Sequence, residues 1–221
     1  MIFRSLGLLF RDPLAFFFVL GAVTLALLVA ITVHEFSHAL AAYRLGDDTA
    51  KRRGRLSLNP LVHLDPLGTL LLFVVGFGWG KPVPVNPYYL HRQPRWGMAI
   101  VSFAGPLSNL VVASLVALPL RLGLLSSGSL WSDIILYIIL LNLILAIFNL
   151  IPLPPLDGSN IALAVLPPSL SRYLLQIGNY GPMILLLLLF LDAFSGLHIF
   201  WTIFGGIINL LSSLILGQGI F

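Results

Sequence analysis

The chain has 221 residues, 58% hydrophobic and only 9% charged, with a mean hydropathy of +1.01. A soluble fold of this size lacks the interior to bury so much apolar surface, so the composition places the chain in a membrane. Twelve Lys+Arg against eight Asp+Glu leave a formal charge of +4, and there is no cysteine, which excludes a disulfide framework, a thiolate nucleophile and any cysteine-based metal site.

In chain order, Asp12-Pro13 reads as a helix start, with a capping acceptor and then proline at the first helical position. The apolar run that follows is too long for a signal-peptide core and lacks a cleavage region with small residues. A helix over 13–45 would measure roughly 50 Å, well beyond a ~30 Å hydrocarbon core, so it must tilt, protrude or break. Residues 46–60 form a wet basic loop, and 61–79 is apolar but broken by Pro66, Gly68, Gly76 and Gly78. Residues 81–96 are polar and rich in proline. Further apolar runs cover 98–120, 134–151, 182–191 and 199–216, the last two separated by 192–198. No internal repeat or linker divides the chain, so 1–221 reads as one domain with its core at about 13–160.

Charge gives the sidedness. Eight of the twelve Lys/Arg lie between Arg44 and Arg95, in the two loops that flank 61–79, whereas 123–132 has none. Cations placed this way set topology and do not suggest a nucleic-acid partner. Both basic loops belong on the cytoplasmic side, which requires 61–79 to enter and leave by the same face. Its glycines and prolines suit a re-entrant element shielded by protein. The expected fold is an all-α polytopic membrane protein in the cell membrane. It has about five transmembrane helices and a re-entrant loop or β-hairpin around 61–86.

The chemistry lies in His34-Glu35-Phe36-Ser37-His38. Helical spacing puts both imidazoles on one face, where they can share a zinc ion, while the intervening glutamate serves as base for the metal's water. Helix-interface histidines are the bland alternative, but a glutamate and two histidines in an apolar span are costly to insert and point to function. For a third ligand the candidates are the other acids and His63, His91 and His198. Asp157 stands out, because it follows Pro152, Pro154 and Pro155, which break any helix, and so puts a carboxylate on unwound backbone. It also suits a cap for the next helix, and the two roles are compatible. With 61–79 re-entrant, Asp157 and the His34–His38 pair fall toward the same, cytoplasmic side.

The motifs HEFSH (34–38), RLSLNPLVHLDPLG (55–68), GWGKPVPVNP (78–87), AGPLSN (104–109) and NLIPLPPLDG (149–158) resemble those of the site-2 proteases, the intramembrane zinc metalloproteases. The likeness spans roughly 30–160 and is nearest the compact prokaryotic branch. It implies His34, His38 and Asp157 as ligands of one Zn2+, Glu35 as catalytic base, and a substrate or oxyanion role for Asn149. The implied reaction cleaves peptide bonds in or beside transmembrane segments, with membrane proteins or peptides as substrates and the lipid bilayer as surroundings. Val83 and Val85 alternate within 76–86, so this segment could pair with substrate as an added strand, or only gate the site. Asn109 and Asn142 read as contacts between helices, His63 and Asp65 as caps of the re-entrant element, His198 and Trp201 as an interfacial anchor, and Asp192 as solvated. The rival class is a metal transporter or a non-catalytic metal-binding membrane protein. It would need no glutamate beside the first histidine and would favour repeats or paired broken helices.

Overall fold

A computed structural model describes residues 2–75, 78–91, 93–126, 128–195 and 199–217. A short N-terminal helix, α1 (Ile2–Arg11), leads into α2 (Pro13–Arg44), which starts where the Asp12-Pro13 pair places it. The Asp12 carboxylate accepts the Ala15 N–H at 3.0 Å. A single turn, α3 (Thr49–Arg52), follows in the basic loop. Next comes α4 (Pro66–Val75), whose ten residues rise about 15 Å, half of what a crossing requires. The long helices α5 (Pro94–Arg121) and α6 (Leu130–Asn149) come next. Four shorter ones follow: α7 (Asp157–Val165), α8 (Pro168–Gly178), α9 (Gly181–Ser195) and α10 (Ile199–Leu216).

The centre of the molecule is a packed trio of α2, α5 and α6, with α7 laid against α5. The packing follows from a four-residue rhythm. On α2 the buried positions Ala22, Ala26, Ala30, His34, His38 and Ala42 form one row, and on α5 Gly97, Val101, Gly105, Asn109, Ala113 and Ala117 form another. Rows at this spacing are the ridges that interdigitate when helices pack, and small side chains let the backbones approach closely. Ala113 and Ala117 also meet Ile139 and Leu143 of α6. On the far face of α5, Phe103, Leu107, Val111 and Leu115 are exposed, as lipid-facing positions require.

By length and composition α2, α5 and α6 can each cross a membrane, and α8–α9, bent by 66°, adds a fourth span if the pair is counted as one. The segment around 61–86 holds no strand among the described residues. A short 3-10 turn (Pro60–Val62), α4 and an extended stretch take its place, with a single antiparallel bridge between Leu64 and Gly80. Two prolines at 82 and 84 deny the stretch the N–H groups a hairpin ladder would use. Gly76 and His198 lie outside the described residues.

Candidate metal centre

The two histidines come from the same row of α2, one turn apart, and their rings meet edge to face with centroids 4.6 Å apart. Each is held at Nδ1. His34 Nδ1 donates to Asn109 Oδ1 at 2.6 Å, and His38 Nδ1 donates to the Val101 carbonyl at 2.7 Å. The roles are forced. The Asn109 amide nitrogen donates to the Ala30 carbonyl (3.0 Å) and to Asn142 Oδ1 (2.8 Å), and Asn142 in turn donates to the Ile138 carbonyl (2.8 Å). Only the oxygen of Asn109 is left to face His34, so that ring carries its proton on Nδ1.

Asp157 arrives from the other side. The prolines after α6 end that helix, and a tight run of turns leads to α7, with Leu156 buried beneath it. Gly158 allows this approach, since a Cβ there would lie 2.2 Å from the Leu150 carbonyl oxygen. One turn on, Asn160 ties α7 to α5 by donating to Ser102 Oγ at 2.9 Å. Asp157 occupies the first turn of α7 without a side-chain cap bond; its carboxylate points at the imidazoles. Oδ2 is 3.1 Å from Nε2 of both His34 and His38, and the side chains are 16%, 6% and 9% exposed, respectively.

That geometry suits a bound cation, and a proton on one ring at Nε2 would also satisfy it. With both Nδ1 atoms protonated, a neutral pair presents two Nε2 lone pairs to a carboxylate, an arrangement that repels unless a cation lies among them. The three ligand atoms fall within 4.8 Å of one another. Two imidazoles and a carboxylate are a donor set of catalytic zinc, and tetrahedral ligands at 2.0–2.1 Å from zinc stand roughly 3.3 Å apart, close to the separation seen. Gly105 packs so tightly against the pair that an added Cβ would lie 2.5 Å from His38 Nε2 and 2.7 Å from His34 Cε1.

Glu35 is partly exposed, and its Oε2 accepts the Val83 N–H at 3.2 Å. The extended stretch containing Val83 and Val85 therefore lies against the expected base. Asn149 is at the end of α6, with its amide donating to the Leu145 carbonyl at 3.0 Å. His63 is fully buried, donates from Nε2 to the Ser57 carbonyl at 2.7 Å, and stands outside the metal group. Asp65 caps α4 through the Gly68 N–H at 2.8 Å, and Asp192, read as solvated, instead accepts the Phe200 N–H at 2.8 Å. Asn109 and Asn142 do join helices, but sequence reasoning missed that the same chain of amides orients the His34 ring. Asn109 shares its four-residue row with Val101 and Gly105, a periodicity that was available in the sequence.

The model of peptidase family M50 matches residues 123–189. A Bacillus subtilis (strain 168) protein, "Putative zinc metalloprotease YwhC", is 42% identical over 193 residues, 81% of this chain and 84% of its own length. "Putative zinc metalloprotease Rip2" of Mycolicibacterium smegmatis is 33% identical over 192 residues, 83% of this chain and 72% of its own. Its counterpart in Mycobacterium tuberculosis (strain H37Rv) is 34% identical over 192 residues, covering 84% and 73%. No solved structure matches the chain.

Proposed function

The chain belongs to the site-2 proteases, peptidase family M50, and we propose that His34, His38 and Asp157 hold the zinc ion of this intramembrane metalloprotease while Glu35 handles its proton. The observation that carries the assignment is the convergence of two Nε2 atoms and one carboxylate oxygen at 3.1 Å, with both Nδ1 atoms tied back. When bound, zinc supplies a water activated at neutral pH and polarises the scissile carbonyl. The protein's own groups do the rest. Asn109 and the Val101 carbonyl fix the rings and raise their basicity as ligands. Glu35 takes a proton at its carboxylate and returns it to the leaving amine. Its other oxygen, Oε1, can take that proton while Oε2 keeps the Val83 N–H.

The substrates are transmembrane proteins or peptides embedded in the bilayer, and the stretch through Val83 and Val85 pairs with the unwound substrate as an added strand. Val85 supports this reading, because its N–H has no partner among the described residues. Asn149 is assigned to the substrate or oxyanion by its place in the family motif, a role open to its second amide N–H while the first stays on the Leu145 carbonyl. The chain acts as one membrane domain with its core at 13–160. It sits in the cell membrane with the centre toward the cytoplasmic side, where Lys51, Arg52 and Arg53 follow α2. Bent α8–α9 and then α10 bring the crossings to five. Kinship with zinc metalloproteases does not favour metal transport.

Replacing Glu35 by Gln separates the readings. Purified Glu35→Gln protein is expected to hold zinc at the wild-type ratio and to cleave a membrane-spanning peptide about 10²–10⁴-fold more slowly. Wild-type cleavage by that variant would sink the mechanism.

A further inference from the structure

The loop between α2 and α4 carries the densest run of cations, yet its two most buried charges do not face water. Asp47 is fully buried and Arg55 is 5% exposed. Asp47 Oδ2 accepts the Asn86 N–H at 2.7 Å, while Oδ1 accepts the Thr49 N–H at 3.0 Å and the Thr49 hydroxyl at 2.5 Å. Arg55 reaches the same stretch at its other end. Its guanidinium donates to the carbonyls of Val62, of Lys81 and, at 3.1 Å, of Pro82. Lys81 N–H is taken by the His63 carbonyl at 2.7 Å.

Between these anchors lie Val83, whose N–H rests on Glu35, and Val85, whose N–H is unpartnered among the described residues. Pro82 and Pro84 have no N–H, so no strand ladder can hold this stretch in place. Burying a carboxylate and a guanidinium carries a desolvation cost that only good bonding offsets. Here the bonds go to backbone, from a neighbouring loop, on both sides of the residue that touches the catalytic glutamate.

We propose that Asp47 and Arg55 are positioning residues that fix the register of the substrate strand over Glu35 and thereby select the scissile bond. The inference rests on the reading that 81–86 pairs with substrate. A strand advances about 3.3 Å per residue, and a slip of one residue reverses its faces. Choosing one bond therefore needs a pairing edge held to well under that step, and the two buried charges hold it.

The test uses full-length protein in liposomes and a library of transmembrane peptides with randomised cores, with cut positions read by mass spectrometry. Asp47→Ala and Arg55→Lys are expected to spread the cuts over two or more neighbouring positions. They should also raise KM about fivefold, the loss of roughly one hydrogen bond, with zinc content unchanged. Asp47→Asn keeps an acceptor for the Asn86 N–H and is expected to restore the wild-type cut position, which also covers the case of an alanine variant that does not fold. Activity that falls only with the amount of zinc-loaded protein, at an unmoved cut site and unchanged KM, overturns the clamp. Val85→Pro separates the two readings. If it cuts like wild type, strand pairing fails and the clamp with it. If it is impaired while Asp47→Ala and Arg55→Lys cut normally, pairing stands and the clamp alone fails.

Discussion

Gly105 shows how little room the metal centre has. Its missing side chain is the space that the two imidazoles occupy. In an ordinary helix, alanine for glycine is stabilising by about 0.5–1 kcal/mol, so helix loss cannot explain a defect here. Gly105→Ala is expected to keep full helicity by circular dichroism and to lose most bound zinc by elemental analysis. The meeting of the HEFSH histidines with the proline-bounded Asp157 was legible because a candidate ligand set leaves a short, local signature on a helix face and at a break. Asn109 was legible only as a helix contact, because one amide can join helices and orient a ring at once. Which of these it does depends on the face that α5 turns toward α2. That face is written in the four-residue row, but only once the partner row on α2 is set beside it.

At the scale of elements, the start of α2 was legible to the residue from Asp12-Pro13, while the apolar runs located α5 and α6 but began four residues late for each, at 98 against Pro94 and 134 against Leu130. The stretch 61–86 was not legible, because its order comes from side chains elsewhere in the sequence. Asp47 and Arg55 belong to a loop whose charge pattern reads as topology, and nothing local announces that two of its charges turn inward. Burial disfavours the charge on Asp47, but the Thr49 hydroxyl, the Asn86 and Thr49 N–H groups and Arg52 outweigh it and hold its carboxyl below the usual aspartate range. A carboxyl depressed in the folded state adds stability above its unfolded pKa and loses it as pH falls through the folded one. Wild type should therefore melt above Asp47→Asn at pH 5–7, and the gap should close as pH drops below about 4. Thermal scans of both proteins across that range check this, and a gap independent of pH would contradict it.

For the molecule as a whole, the apolar composition has a simple distribution. Small residues line the inner rows of α2 and α5, large ones face outward, and most buried polar groups gather at one centre and one loop, with Ser132 and Ser212 apart from both. The centre joins α2 to α7, which enters from beyond α6, so an ion held by His34, His38 and Asp157 would tie the two ends of the helix trio together. Ion removal should lower the melting temperature, because a ligand at 1,000 times its Kd stabilises by about 4 kcal/mol. Chelator titration followed by readdition of zinc measures the drop and its reversal. The same layout constrains biosynthesis. The proposed metal site draws His34 and His38 from the second helix, Asn109 and Val101 from the fifth, Asn142 from the sixth and Asp157 beyond them. A nascent chain emerges from the ribosome with its nucleophile-generating centre divided among segments not yet translated. On that reading the centre cannot close until α7 has joined α2, α5 and α6, so a partly made chain carries no assembled site.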